Sequence, residues 1–245
     1  FTAAVAWAIT DLERHGHRLA AFLADTLFSS DGLLPDPPGF LAPVTEIVHN
    51  AGGLYIADEV QAGFARTGTH MWGYQRHGIT PDIVTMGKPM GNGLPIAGLA
   101  ARQDILDGFG QDARYFNTFG GNPVCVAAAT AVLDILDAEA LPANAAATGS
   151  YLKAQLTQLA AVSPNLRDVR GAGLYLAIDV TAPAGEPSPQ LASAIVNGMR
   201  QRRVLISATG PHGHVLKIRP PLPFQPEHAD QLTAVLADTL TAIAG

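Results

Sequence analysis

The chain has 245 residues, 48% of them hydrophobic and 15% charged, with a formal net charge of −6. That is the profile of a globular chain long enough for a sizeable core, and it excludes a disordered or coiled-coil protein. Mild acidity and the scatter of the 15 lysines and arginines argue against a nucleic-acid or anionic-membrane partner. No apolar stretch approaches the roughly 18 residues of a membrane span. The single cysteine, Cys125, rules out an internal disulfide and fits a reducing compartment, so the expected location is the cytoplasm.

The first residue is Phe1, and Ala3, Val5, Trp7, Ile9 and Leu12 with polar residues between them read as a helix already under way, so the chain is expected to be a fragment. Residues 19–24, LAAFLA, predict a strand that stops at Asp25. Pro35, Pro37, Pro38 and Gly39 form a turn cluster, and residues 41–50 predict an amphipathic helix closed by Gly52-Gly53. Two short apolar runs follow, Leu54-Tyr55-Ile56-Ala57 and Ile83-Val84-Thr85-Met86, the first ending at Asp58 and the second followed by Gly87-Lys88. Their uniform apolarity predicts strands covered on both faces, as in a parallel sheet, and such sheets bind ligands beyond the carboxyl ends of their strands. Asp58 and Lys88 fall there. An amine can condense with an aldehyde and a carboxylate can hold a ring nitrogen protonated, so the pair suits a carbonyl-bearing heterocycle.

Residues 63–78 predict a loop and short helix containing Arg66, Trp72 and Tyr74, Gly91-Asn92-Gly93 a turn, and residues 94–101 a further strand. Phe116-Asn117-Thr118-Phe119-Gly120-Gly121-Asn122-Pro123 then introduces a helix over 124–137, with Asn122 as cap and Pro123 at its first position. A helix start is a natural anion site. From residue 141 the pattern changes to a long Ala- and Leu-rich helix to 161, the segment Val169-Arg170-Gly171-Ala172-Gly173, a strand over 174–180, a polar loop over 181–189, a helix over 191–202, strands over 204–207 and 215–219, and a final helix over 227–244. The expected organisation is therefore α/β, with a mainly parallel sheet in residues 1–138 and a small α+β domain in residues 139–245.

Other chemistries fit poorly. Gly87-Lys88 is not a phosphate-binding P-loop, because Asp82 stands where the leading Gly belongs and Pro89 where Ser or Thr is required. The pairs His15/His17 and His212/His214 lack Cys or Glu partners and read as solvated, so no metal site is expected. Cys125 reads as a small core residue.

The run Asp58-Glu59-Val60, Gln61, Gly63, Arg66-Thr67-Gly68, then Pro81-Asp82-Ile83-Val84, Gly87-Lys88 and Gly91-Asn92-Gly93 resembles the signature of class III pyridoxal-phosphate (PLP) aminotransferases. The resemblance covers essentially the whole chain but corresponds to the C-terminal part of a typical member. It implies the PLP-dependent transferase fold type I: part of the large cofactor-binding domain followed by the small C-terminal domain. It also implies Lys88 as the lysine of the internal aldimine, Asp58 against the pyridine nitrogen and Gln61 against the ring hydroxyl. Thr118 would reach across a homodimer interface to the cofactor phosphate of the other subunit. Arg219 would clamp the substrate carboxylate, its planar fork suiting a bidentate oxyanion. Lys217, two positions earlier on one strand face, adds a second cation for a dianion such as phosphate. Blander readings are a solvated lysine at 88, a turn cap at Asp58 and a surface ion pair at Arg219.

VHNAGGLYIADEVQ, PDIVTMGKPMGNG, YFNTFGGNP and RVLISATGPHGHVLKIRPP are most similar to the ethanolamine-phosphate phospho-lyase-like subgroup. Two departures stand out: Asp25-Thr26 where the family usually has Glu-Pro, and Ser30 where many members carry a second Glu that pairs with the substrate-binding Arg. The implied activity is amino-group transfer between an amine or amino acid and a keto acid. The alternatives are a phospho-lyase acting on phosphoethanolamine-like amino-alcohol phosphates and an inactive truncated scaffold. Glu59 is expected to serve structure or substrate contacts.

Overall fold

Three strands of the N-terminal half, β1 (Ala21–Asp25), β2 (Leu54–Asp58) and β3 (Ile83–Met86), run parallel, and β4 (Gly98–Ala101) pairs antiparallel with β3, in the order β1-β2-β3-β4. This is seen in the computed structural model, which describes residues 1–244. Helices α1 (Thr2–Arg14), α2 (Ala42–Asn50), α3 (Gln103–Asp112) and α4 (Pro123–Ala138) belong to the same unit, which comprises Phe1–Thr26, Pro37–Phe64 and Trp72–Glu139. α2 lies between β1 and β2 in sequence and packs on β2, so the strands can run in one direction.

One sheet face is covered and one is not. Tyr55 and Ala57 of β2 are fully buried, as are Val44 and Val48 of α2. On the other face Leu23 is 60% exposed and Leu99 58%. Among the described residues, the cover expected on both faces is supplied on one. The strand expected over 94–101 shrinks to its last four residues, because Leu94 N–H is held in a turn by Gly91 O at 3.0 Å and Pro95 has no N–H for a ladder. α3 was not foreseen: Gly108 and Gly110 interrupt it, and its apolar residues Ile105, Leu106 and Phe109 are few and not buried.

The second unit comprises Leu27–Asp36, Ala65–Met71 and the chain from Ala140 onward. Its sheet is antiparallel in the order β5-β6-β8-β7, from β5 (Leu166–Ala172), β6 (Tyr175–Val180), β7 (Ser207–Thr209) and β8 (Val215–Ile218). Around it lie α5 (Leu141–Val162), α6 (Pro189–Gln201) and α7 (Pro226–Ala244). Central strands β6 and β8 supply Leu176, Ile178 and Leu216 to a core with Leu152 and Leu156 of α5 and Ile195 of α6. Each such side chain contributes about 1.5–3 kcal/mol by leaving water. At the β5–β6 turn Gly173 has φ +55°, and a Cβ there would fall 2.4 Å from the carbonyl carbon of Thr67. Only glycine lets the two backbones approach so closely. The segment Ala65–Met71 belongs here although it follows β2 in the chain, a partition the linear sequence does not announce. Among the described residues no helix is long and apolar enough to cross a membrane.

Candidate active site

Parallel pairing sets Asp25 opposite Asp58 and Asp58 opposite Thr85, so the carboxyl ends of β1, β2 and β3 lie level with one another. Adjacent strands are about 4.8 Å apart. Glu59 N–H donates to Thr85 O at 2.9 Å, binding the tip of β2 to that of β3 just before Lys88. Lys88 follows in a short 3-10 turn, Lys88–Gly91, with φ +36°. Non-glycine residues avoid that region at a cost of roughly 1–3 kcal/mol, and such strain gathers at functional positions. The two residues singled out from the apolar runs thus stand on neighbouring strand ends.

Their polar atoms are differently engaged from those around them. Asp58 Oδ1 accepts Val60 N–H at 3.0 Å, capping the turn, while Oδ2 has no partner among the described residues. Of the three lysines in the chain, Lys153 donates to Gly171 O at 3.0 Å and Lys217 to Ser29 O at 3.0 Å. Lys88 is exposed and has no hydrogen-bond or ion-pair partner among the described residues. An amine and a carboxylate oxygen are therefore available at adjacent tips, as a ring carrying an aldehyde and a basic nitrogen requires. Gln61 is half-buried in the turn after β2. Thr118 is exposed, in a segment where Phe116 and Phe119 are about 80% exposed. The α4 start behind it is capped by the Asn122 side chain, which accepts from Val124 and Cys125 N–H, with Pro123 opening the helix.

Glu59 is the residue whose importance the sequence understates. Strand alternation turns it away from Asp58 into the interior, where it is fully buried. Its carboxylate accepts Thr26 Oγ1–H at 2.9 Å, Gly73 N–H at 2.7 Å and Tyr74 N–H at 2.8 Å. Burial pushes this carboxyl above its ordinary value, and the three hydrogen bonds offset the rise only in part. The available signal was an acid immediately after a strand tip, with Gly73 marking a close backbone approach: a Cβ there would lie 2.4 Å from Thr26 Oγ1.

Arg219 and Lys217 belong to the second unit. Lys217 and Arg219 both border one cavity, but only Arg219 is exposed. β8 ends at Ile218, and Lys217 is buried, with Nζ bonded to Ser29 O and 5.4 Å from the Tyr175 ring centroid. Lys217 is committed inside the unit. Arg219 is exposed and unpaired among the described residues, at the edge of an open cavity of about 750 Å³ also lined by Ile206, Pro221, Phe224 and His228. Neither Asp58 nor Lys88 lines this cavity. Ser30 carries no carboxylate toward it, and its carbonyl accepts from Gly210 N–H at 3.2 Å and Thr209 Oγ1–H at 2.9 Å. His212 and His214 stand 5.8 Å apart by ring centroid, and among the described residues no group of three His, Cys, Asp or Glu is placed to hold a metal.

The family model described as aminotransferase class-III matches residues 2–240. The chain is similar to the alanine–glyoxylate aminotransferase 2-like protein of Drosophila melanogaster, 40% identical over 232 residues, 93% of this chain and 47% of that one. It is similar to ethanolamine-phosphate phospho-lyase homolog 1 of Caenorhabditis elegans, 39% identical over 95% of this chain and 51% of that one. Among solved structures, a phospholyase from Arthrobacter in complex with phosphoethanolamine superposes with a TM-score of 0.95 and 47% identity, covering 98% of this chain and 58% of that one. The chain spans about half the length of the curated relatives it matches.

Proposed function

The chain belongs to the aminotransferase class-III family, and on that premise we propose that the whole protein is a PLP-dependent enzyme that moves an amino group between an amine or amino acid and a keto acid. One observation carries the reading: the amine of Lys88 and a free carboxylate oxygen of Asp58 stand on the ends of paired parallel strands, while the chain's other two lysines are bonded to backbone carbonyls. PLP, when bound, supplies an aldehyde that joins covalently to amines and a protonated ring that takes up electrons from the neighbouring carbon.

The roles of the chain's own residues follow. Lys88 holds the cofactor through Nζ. Its amine acts as nucleophile and base through the nitrogen lone pair. With PLP and substrate bound, the amine would carry the proton from the substrate carbon that bears the nitrogen to the cofactor's former aldehyde carbon, the shift that amino-group transfer needs. Asp58 Oδ2 accepts a hydrogen bond from the ring nitrogen and keeps it protonated. Gln61 contacts the ring hydroxyl, and Thr118 of a second copy reaches the phosphate. Arg219 binds the anionic group of the substrate. The same reading includes a homodimer, supported by the exposed Phe116 and Phe119 beside Thr118, and a cytoplasmic location, supported by the lone cysteine.

A phospho-lyase is the second reading, favoured by the likeness to the Arthrobacter phospholyase and by Ser30 at the position where many aminotransferases of the class carry a Glu. The proton leaves the substrate in the same way, but phosphate departs from the adjacent carbon. The whole protein incubated with PLP and either an amine plus keto acid or phosphoethanolamine alone separates the two. Amino product and consumed keto acid support transfer; phosphate and ammonia without keto acid support the lyase; neither would make the chain a scaffold.

A further inference from the structure

Arg219 sits where the backbone has little means of holding itself. The β6–β8 ladder ends with Ile218 opposite Leu176, and the two residues after Arg219 are Pro220 and Pro221, which have no N–H to donate. The segment can be secured only through its carbonyls. Arg66 provides that hold: its Nη1 donates to Pro220 O and, at 3.2 Å, to Leu174 O, while Leu174 N–H returns a bond to Arg66 O at 3.2 Å. All of these residues lie in the second unit.

We propose that Arg66 is a positioning residue for anion recognition: it fixes the backbone just after Arg219 and leaves the Arg219 guanidinium directed at an oxyanion of the substrate. This rests on the reading of Arg219 as the residue that binds the substrate's anionic group. Arg219 is held on both sides, by the ladder before it and by the Arg66-bound carbonyl after it. Burial lowers the Arg66 guanidinium to about 10, with Tyr175 opposing and the Arg219 charge adding to the fall. It therefore remains charged at neutral pH, and the like charge disfavours Arg219 folding back onto the same carbonyls. Lys217 cannot take this part, being bonded to Ser29 O.

The test compares Arg66→Lys, Arg66→Met and Arg219→Lys in the whole PLP-loaded protein, using an amine substrate with a carboxylate or phosphate and a neutral amine of similar size. Arg66→Met is expected to raise the ratio of anionic to neutral KM roughly tenfold, the equivalent of about one hydrogen bond to a charged group, and Arg66→Lys to recover part of it. An unchanged ratio, an equal loss on both substrates, or failure of both Arg66 variants to fold would overturn the proposal, since each leaves Arg66 a structural part only. Arg219→Lys is the control. If it leaves the ratio unchanged, the anion-binding reading of Arg219 fails, and the role of Arg66 fails with it.

Discussion

Replacing Glu59 by Gln probes the support beneath the Asp58 tip. The carboxylate accepts three hydrogen bonds with two oxygens, Gly73 N–H on one and Tyr74 N–H with Thr26 Oγ1–H on the other. An amide keeps one acceptor oxygen and turns an NH2 toward a backbone N–H, so at least one buried donor is left unsatisfied. Such a loss costs about 1–3 kcal/mol, and full burial of the site sets the expected total at about 2–3 kcal/mol. At about 2–4 °C per kcal/mol for a chain of this size, the melting temperature falls by about 5–10 °C. The pH dependence has a definite sign. Burial holds Glu59 above its ordinary 4.5 in the fold. An acid raised in this way stabilises the fold fully below its unfolded value, and that contribution is lost as pH rises through the folded value. Glu59→Gln removes the dependence, so its deficit is greatest near pH 4.5 and narrows toward neutrality. Thermal melts of parent and variant over that range measure both effects. A variant melting within about 1 °C of the parent at every pH would refute the reasoning.

Three further outcomes are expected. Asp82 is buried and accepts Tyr55 N–H at 2.6 Å, His49 Nε2–H at 2.8 Å and an Arg102 N–H. Burial alone would raise its carboxyl, but these bonds and the charges of His49 and Arg102 bring it below 3.8, so its stabilisation is present above that value and lost as pH falls through the lower folded one. Asp82→Asn should lower stability at neutral pH and flatten the acid limb of the pH–stability curve; an unchanged acid limb would count against this. Gly149→Ala would set a Cβ 2.1 Å from Gly173 O, and denaturant unfolding should show a loss of about 3 kcal/mol or more, whereas a loss under about 1 kcal/mol would contradict the close approach. Lys217→Met should lower stability by about 1–3 kcal/mol through the lost bond to Ser29 O, with no change in KM for an anionic substrate; a rise in that KM would return Lys217 to the anion site.

What the sequence disclosed depended on how local its signals were. The tips of β2 and β3 were legible because an unbroken apolar run ending abruptly at a polar residue is a property of five or six consecutive positions. The level arrangement of Asp58 and Thr85 followed once the strands were parallel. The open sheet face was not legible, since apolar residues such as Leu23 look the same whether covered or exposed. Period-2 alternation rightly separates Lys217 from Ile218, yet both strand faces are buried in β8, so alternation does not tell which cation reaches solvent. The hold of Arg66 on Pro220 spans 154 positions, and no window of local sequence contains it.

The most direct test of the central claim is chemical. The whole protein is loaded with PLP, reduced with borohydride, digested and analysed by mass spectrometry to locate the pyridoxyl group among Lys88, Lys153 and Lys217. The account predicts modification of Lys88 alone, lost in Lys88→Ala. A pyridoxyl group on Lys153 or Lys217, or retained in the Lys88→Ala protein, would contradict it.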